Sequence, residues 1–484
     1  MSWLDVVVPV RMKRVALVAP DESLRDVLVR VAAAAAVEIG PADGEAAPFH
    51  RSPSQTGTTG EAARRLRHSG HPVADAALSA PPPDLDALEQ AGRYDLLAGE
   101  AQLEGYACAA VRQSGASALA GWIPAGRLAG VAASVAEVGG AVVALPSPRG
   151  IQPPTLLDGP PLRRSVSPLV QTYGTVPYTD IAPTWLAWVG YVLMFGMMFG
   201  DAGEGIVLVA VAAALLAGWP GWARRFRKAW PFVGGAGLAA TVFGLLYGEF
   251  FGPTGLVPVI WLNPLDHPIT LLLVAVGVGA VMLAGAYALG TVNRWREGGW
   301  PSALYAPSGL AGASVFLGAG AVVGGWYAHQ DPLLAAGGFV ALAGLALAAV
   351  GFLAEAGGGA AGAFQASVEL FDLVVRLGSN VVSFTRLAAF GLTHAALGLL
   401  VWEGTQALWR HGGLLAIAGV AVFAAGTAVA FSLEALVAAI QALRLEYYEL
   451  FSRVFVMQGR PFRPWHLPTV TEGIPASGRK EELT

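Results

Sequence analysis

The sequence is poor in charge, cysteine and lysine, and each scarcity excludes a class of protein. Charged residues make up only 13% of the 484 residues, about half the share of a soluble domain, and the net charge of −4 argues against a nucleic-acid partner. The single cysteine, Cys108, excludes an intrachain disulfide, and a lone cysteine is usually a packing residue. No lysine lies in a GxxxxGK[ST] pattern, so any ATP involved is expected to bind to another chain.

Apolar residues, by contrast, are abundant. They make up 55% of the chain, and the mean hydropathy is +0.55. This composition predicts a mainly α-helical, polytopic membrane protein. The apolar runs near the N-terminus are too short for the core of a signal peptide followed by a cleavage site. We therefore expect the N-terminal region to stay in the cytoplasm.

Residues 1–180 predict a cytoplasmic α/β domain, of the α+β type, with a βαβ-like start. Asp21 is predicted to cap the first helix, and residues 41–60 are predicted to form a loop. The domain contains no cluster of nucleophiles or metal ligands, so we expect no cofactor and no metal. The predicted strands are 13–19, 37–39, 117–122 and 141–146, and the predicted helices are 22–36, 61–67, 84–113 and 127–138.

Residues 181–457 predict a membrane domain, followed by a cytoplasmic tail at 458–484. A span needs roughly 20 apolar residues, and eight segments qualify as candidates. The last two are longer than a bilayer requires, so we expect them to tilt or to project from it. The eight segments are 184–200, 205–219, 230–251, 269–292, 305–328, 333–354, 364–405 and 412–456.

The basic residues of the connecting loops predict the orientation of the spans. Arginine and lysine concentrate at 224–228, at 294–296 and towards the C-terminal end, whereas the loops 252–268 and 327–332 contain neither. With the N-terminal domain inside, this alternation places both termini in the cytoplasm. Arg410, on the outer side, is the exception.

Span seven carries polar residues close to one helical face, since they follow one another at steps of 7, 4, 3 and 8 residues. An ionisable residue inside a span is costly and marks an ion pathway by default. We predict cytoplasmic-side positions for Glu369 and Asp372, a central position for Arg386 and an outer position for His394. The full set on this face is Asp372, Ser379, Ser383, Arg386 and His394.

Span eight has a second set of polar residues. Gln441 and Arg444 follow Glu434 by seven and ten residues, so the three share one face of the helix. Because this span runs inwards, Glu434 is predicted near the outer side, and Glu446 and Glu449 near the cytoplasm. Each of the two spans thus carries an arginine flanked by titratable groups that lead towards opposite sides.

Two interpretations of the arginines follow from these patterns. In the structural one, they pair with acids inside the bundle, or Arg444 extends its charge to the interface. In the functional one, a permanent cation stabilises a passing carboxylate and so ionises a passing carboxylic acid. The same cation would repel protons and block a leak between two half-paths.

Five sequence blocks, in order along the chain, resemble subunit a of V-type ATPases, called subunit I in bacterial and archaeal V/A-type ATPases. This resemblance implies the membrane stator of a rotary motor, which packs two long tilted helices against a ring of proteolipid c subunits. It also implies peripheral-stalk partners and, through the complex, the central stalk and the soluble ATPase sector. The blocks are GWIPAGRLAGVAASV, PTWLAWVGYVLMFGMMFGDAGEG, FGLLYGEFFG, SNVVSFTRLAAFGLTHAALG, and LEALVAAIQALRLEYYELFSRVF with GRPFRPW.

The resemblance also implies roles for single residues. The family's essential arginine matches Arg386 and its second arginine matches Arg444. The acid fourteen residues before the first arginine matches Asp372, the histidine eight residues after it matches His394, and the glutamate ten residues before the second arginine matches Glu434.

The chain departs from the family pattern in two places. The family's cytoplasmic domain is usually longer and contains a long coiled coil, for which only the helices within 61–113 could serve here. The peripheral-stalk attachment could therefore be reduced. Eukaryotic members carry a histidine two residues after the second arginine, where this chain has Glu446, a difference that bears on the exit path or the ion.

The sequence therefore predicts a non-nucleotide-binding stator subunit of the cell membrane that couples proton transport to ATP hydrolysis or synthesis. Arg386, assisted by Arg444, would ionise the carboxylic acid of a c subunit. A self-contained ion transporter or channel and a membrane scaffold stay open as alternatives, as does Na+ in place of H+. The predicted proton path consists of Glu369, Asp372, Ser383, His394, Glu434, Gln441, Glu446 and Glu449.

Overall fold

The structure is a computed structural model that divides the chain into two compact units. The N-terminal unit contains Val10–Leu156 and Gly459–Thr484, and the helical unit contains Met1–Pro9 and Leu157–Gln458. The first unit thus ends near residue 156 instead of 180. The described residues are 8–40, 60–70, 75–147, 151–158, 165–167, 170, 172, 174–181, 184–357, 359–454 and 459–470.

The N-terminal unit is built on a sheet with the strand order β2-β5-β1-β6, and β4 pairs with the free part of β5. Strand β5 pairs antiparallel with both β1 and β2, so it separates the two strands of the expected βαβ start, as in a split βαβ motif. The strands are β1 (Met12–Pro20), β2 (Glu38–Ile39), β3 (Leu78–Ser79), β4 (Val111–Gln113), β5 (Ala116–Pro124) and β6 (Ala141–Leu145).

Alternation along β1 decides which face of this sheet is buried. Val15, Leu17 and Ala19 point into the core, as the period of two requires, and Val27 and Leu28 of a helix pack on the same cluster. Each such large side chain contributes about 1.5–3 kcal/mol by leaving water. The helices are α1 (Leu24–Ala34), α2 (Glu61–Ser69), α3 (Leu85–Gln90), α4 (Tyr94–Ala109) and α5 (Leu128–Ala136).

Two local predictions for this unit are wrong. The segment 84–113 forms α3, α4 and β4 instead of one helix, because Gly92 adopts a left-handed backbone with φ 66° between the two helices. The N-cap of α1 is Ser23, whereas Asp21 accepts a hydrogen bond of 2.5 Å from the Ser117 hydroxyl. Most of the predicted loop at 41–60 falls outside the described residues.

The C-terminal residues 459–470 belong to the N-terminal unit and do not form the separate tail that was predicted. Strand β7 (Thr469–Val470) pairs parallel with β3. The Trp465 backbone N–H donates to Val37 O at 2.9 Å, and the Trp465 ring packs against Tyr106 with centroids 4.7 Å apart. Trp465 and Leu467 therefore share one core with Val15 and Leu17 of β1.

The helical unit has a helix at each of the eight predicted span positions. Among the described residues, six helices are long and apolar enough to cross a membrane, which supports a multi-pass membrane protein; α6 and α7 are apolar but shorter. Eight spans thus stay a prediction. The helices are α6 (Thr184–Met198), α7 (Ala202–Ala217), α8 (Trp230–Tyr247), α9 (Pro268–Tyr305), α10 (Leu310–Tyr327), α11 (Asp331–Glu355), α12 (Gly359–Ser383), α13 (Thr385–Trp409) and α14 (Gly413–Leu445).

The two longest predicted spans each contain an irregular turn beside the residues of interest. Helix α12 continues into α13 across Phe384, where tight i→i+3 hydrogen bonds form. The Phe384 side chain is fully buried and lies where a Cβ on Gly279 would be. Helix α14 continues into a π-helical turn, Glu446–Phe451, and then into α15 (Ser452–Val454). Such irregular turns inside helices often occur at functional sites.

Candidate functional site

A buried histidine gathers acidic side chains from three other parts of the helical unit. His394 on α13 is only 7% exposed; its Nδ1 shares a hydrogen bond with Glu434 Oε2 on α14, and its Nε2 lies 3.9 Å from Glu249 Oε2. Asp201 and Glu204 complete what we call the His394 cluster, which consists of Asp201, Glu204, Glu249, His394 and Glu434. The structure thus joins the predicted residues His394 and Glu434, and adds three acids that were not predicted.

Asp201 organises the backbone around this cluster. One carboxylate oxygen accepts hydrogen bonds of 2.9 Å from the N–H groups of Glu204 and Phe251, and the other accepts one of 2.7 Å from Gly252. Asp201 is therefore the N-cap of α7 and also fixes the loop that follows α8. Gly203 permits this approach, because a Cβ at that position would lie 2.5 Å from the Phe251 ring.

A small pocket borders the cluster. It has about 280 Å³ of empty space, including its open mouth, and its polar lining includes Glu204, His394 and Glu434. Glu204 Oε2 and Glu434 Oε1 are buried and have no hydrogen-bond partner among the described residues. A buried polar atom without a partner costs about 1–3 kcal/mol, so these oxygens favour a polar occupant such as water.

A second group of polar side chains surrounds the predicted essential arginine. Arg386 Nη2 donates to Ser383 Oγ at 3.0 Å, and Glu449 of the π-helical turn lies beside both residues. Arg386 Nη1 is buried without an acceptor in the described part of the chain. The guanidinium is therefore close to an internal carboxylate but is not saturated by it.

Asn380 connects Glu449 to a further arginine. With its amide oriented to satisfy both neighbours, its nitrogen donates to Glu449 Oε2 at 2.8 Å and its oxygen accepts from Arg453 Nη2 at 2.9 Å. The Arg453 guanidinium also lies 5.6 Å from the centre of the Tyr287 ring, within the range of a cation–π contact. We call Asn380, Ser383, Arg386, Glu449 and Arg453 the Arg386 cluster.

Arg444 lies within electrostatic range of Glu449 in the Arg386 cluster, but its position differs from that of the cluster members. Its side chain is exposed, on the same stripe of α14 as the exposed apolar residues Leu433, Val437 and Ile440. Of the most apolar stretch in the segment Gly413–Val454, only 6% is buried, compared with 17–33% for the other five candidate spans. Arg444 thus lies on the least covered of the six candidate spans.

The other predicted path residues occupy two kinds of surroundings. Glu369 accepts a hydrogen bond of 2.9 Å from Gln365, and Asp372 forms an ion pair of 2.6 Å with Arg376, so both have local partners on α12. Glu446 is completely buried, and both its oxygens lack partners among the described residues, as does Gln441 Oε1. Glu446 therefore resembles a path residue more than Glu369 and Asp372 do.

Sequence reasoning missed five members of the two clusters: Asp201, Glu204, Glu249, Asn380 and Arg453. The first three lie in the GDAGEG turn and the FGLLYGEFFG block, where each acid follows or precedes glycine in an apolar context. That signal was available, because an acid inside an apolar segment marks a functional site by default. Nothing in the local spacing, however, connects those acids to His394.

Comparisons with known proteins show which proteins this chain resembles. Residues 110–233 match a family described as the V-type ATPase 116 kDa subunit family. A-type ATP synthase subunit I of Aeropyrum pernix is 27% identical over 359 residues, which cover 64% of this chain and 51% of that protein.

Two further relatives are similar over more of the chain. A-type ATP synthase subunit I of Thermococcus kodakarensis is 26% identical over 72% of this chain and 54% of its own length. The same subunit of Pyrococcus horikoshii is 26% identical over 77% of this chain and 57% of its own length. The chain spans about half the length of the curated relatives it matches.

Proposed function

Because this chain belongs to the family of subunit a of V-type ATPases and subunit I of A-type ATP synthases, we propose that it is the membrane stator of a rotary ATPase. In this proposal it offers two proton half-channels to a ring of c subunits. Its partners in the complex are the c ring, the peripheral stalk and, indirectly, the central stalk and the soluble ATPase sector. The chain itself binds no nucleotide.

The observation that carries the proposal is the unsaturated guanidinium of Arg386. Its Nη1 is buried and has no acceptor among the described residues, although a charge inside a span costs about 2.5–3.5 kcal/mol or more. Arg386 as a whole is only half-buried, so a carboxylate that arrives from another subunit would reach the guanidinium and supply the missing acceptor after a small rotation of the side chain. Since arginine does not release its proton, its role is to stabilise the arriving carboxylate and thereby release that group's proton.

The position of Arg444 supports a partner that docks from the side. A cation within an exposed apolar stripe favours either lipid headgroups or an acidic group on a partner. Helix α14 is also the least covered of the candidate spans, so it has the largest surface free for a neighbouring ring. Arg444 would then assist Arg386 by attracting each c-subunit carboxylic acid into position.

The two buried groups of acids provide the half-channels in this proposal. His394 and Glu434 belong to the outer path, and Glu446 and Glu449 to the cytoplasmic path, with Ser383 and Gln441 beside them. Glu369 and Asp372 would receive or deliver protons at the cytoplasmic mouth, where their exposure suits contact with water. The basic segment Gly221–Ala229 between α7 and α8 supports a cytoplasmic position for this connection. With eight spans, both termini would then also lie in the cytoplasm.

The proposal is tested by proton transport in membrane vesicles that contain the assembled complex. Arg386→Ala should abolish ATP-driven acidification while c subunits still copurify with the chain. Arg410→Ala is the matched control, because Arg410 is exposed at the end of α13 and its side chain donates to Gln406, four residues earlier, at 3.1 Å. Undiminished acidification by Arg386→Ala would refute the role of this arginine. Absence of c subunits from the wild-type preparation would instead favour a self-contained transporter.

A further inference from the structure

We propose that Glu204, His394 and Glu434 form a binding site for a divalent transition-metal ion of the zinc class. This assignment differs from the expectation drawn from the sequence, which predicts no metal. It does not depend on proton transport by the chain.

The donor atoms already lie close together. One ligand atom from each of the three residues lies within 4.8 Å of the others. Zinc bound to imidazole nitrogen and carboxylate oxygen has bonds of about 2.0–2.2 Å, so modest side-chain rotation would bring the three donors onto one ion. All three lie on helices, α7, α13 and α14, which hold them in place.

A second observation points to a ligand at this position. Glu204 is only 4% exposed, its Oε2 has no hydrogen-bond partner among the described residues, and it faces the pocket that His394 and Glu434 also line. Glu434 Oε1 is also buried and has no hydrogen-bond partner among the described residues. The pocket leaves room for a water molecule as a fourth ligand, which a three-residue zinc site requires.

The surroundings of the imidazole also suit a metal. If Nδ1 binds the ion, Nε2 carries the ring proton and lies 3.9 Å from Glu249 Oε2, so a small movement of the Glu249 side chain would form a hydrogen bond between them. A carboxylate behind a ligating histidine orients the ring and raises its basicity. Asp201 is close but is not a ligand in this assignment, because its oxygens already accept three backbone hydrogen bonds.

The donor set selects among metals. Ca²⁺ and Mg²⁺ prefer six or more oxygen ligands. One imidazole and two carboxylates provide too few protein ligands for these ions, and one of the donors is nitrogen. Imidazole with carboxylate suits zinc and its neighbours among the transition metals. Binding requires Nδ1 and both carboxylates to be free of protons, so the proton between His394 and Glu434 leaves to solvent and affinity falls as the pH falls.

The test is equilibrium dialysis of the purified full-length chain in detergent against zinc chloride at neutral pH. We expect saturable binding of one zinc ion per chain, unaffected by excess Mg²⁺. His394→Gln and Glu204→Gln should abolish it, and Glu249→Gln should weaken it by about 10–100-fold as a partner of the ligand. His411→Gln and Glu403→Gln are the controls, since both residues are exposed near the end of α13, and both should bind as wild type.

X-ray absorption of the zinc-loaded wild-type chain provides a readout that does not depend on any variant. The expected first shell contains nitrogen and oxygen only. Sulfur in that shell would place the ion on Cys108, which is exposed, and would overturn the assignment. So would wild-type affinity in Glu204→Gln or His394→Gln, or the absence of saturable binding by the wild-type chain.

Discussion

Nδ1 of His394 and Oε2 of Glu434 share a hydrogen bond although the two residues lie 40 positions apart in the sequence. The bond joins α13 to α14 at a point where Glu249 and Glu204 also converge on the imidazole. A single buried imidazole thus lies close to several carboxyl groups. Such a cluster can hold or exchange protons. Substitutions of its members should therefore have effects that depend on one another.

The first prediction is that the effects of changing His394 and Glu434 do not add. His394→Gln and Glu434→Gln should each slow proton transport, and the double variant should be little slower than the slower single one. Residues in one hydrogen-bond network show coupling energies of about 0.5–3 kcal/mol. The measurement is the initial rate of ATP-driven acidification, with His411→Gln as control. Fully additive losses would show that the two residues act separately.

The second prediction concerns Arg444. Arg444→Ala should weaken retention of c subunits by about 2 kcal/mol or more, as expected when one member of a desolvated charge pair is removed at an interface. Arg376→Ala is the matched control, because Arg376 is also an exposed arginine but is paired with Asp372. The measurement is the amount of c subunit that remains bound after graded detergent washes. Equal retention in the two variants would assign Arg444 to the lipid interface.

The third prediction tests the close packing of α7 against α8. A Cβ on Gly205 would lie 2.5 Å from Thr241 N and 2.8 Å from Gly237 O, so Gly205→Ala should destabilise the unit by about 1–3 kcal/mol. Gly277→Ala is the control, since a Cβ there meets open space and alanine favours helix over glycine. Thermal unfolding in detergent should show a lower midpoint for the first variant only. A shift in both would indicate an unspecific effect of alanine.

The fourth prediction is a pH dependence in the N-terminal unit. Burial raises the pKa of Glu104 above its ordinary value, against the hydrogen bond from the Ala62 N–H. When the pKa of a group is higher in the folded state than in the unfolded state, its contribution to stability is fully present below the unfolded-state pKa. That contribution is lost as the pH rises through the folded-state pKa. Glu104→Gln should therefore stabilise the unit near pH 7.5 and lose that advantage near pH 4.

Hydrogen exchange of peptides from α4 in urea, with variant and wild type compared at the same pH, measures this effect. The matched control is Asp95→Asn on the same helix, because the Arg93 guanidinium lowers the pKa of Asp95. For that group the contribution to stability is present above the unfolded pKa and is lost as the pH falls, so the control should destabilise the unit near neutral pH. The same direction of change in both variants would contradict the assignment.

Much of the helical unit could be predicted from the chain alone, because its signals are local. A run of apolar residues long enough for the membrane is visible without any tertiary contact, and helices occupy every predicted position. The spacing of Arg386 and His394 within one span, and of Glu434 and Arg444 within the next, is equally visible in the sequence. The contacts of the acidic residues did not follow from spacing. Glu369 and Asp372 have partners within one turn on α12, whereas Glu446 is buried without a hydrogen-bond partner in the part of the chain that the structure describes.

The sequence by itself determined the membrane class of this protein, the positions of the helices in the helical unit and the placement of Arg386 and Arg444 within apolar segments, since each depends on residues that are neighbours along the chain. Only the tertiary structure decided that Glu204 and Glu249 meet His394, that Asn380 links Glu449 to Arg453, and that residues 459–470 complete the N-terminal unit. Periodicity specifies which face of a helix is polar, but not which other helix that face meets. That choice depends on packing between segments far apart in the sequence, such as the approach of Phe384 to Gly279.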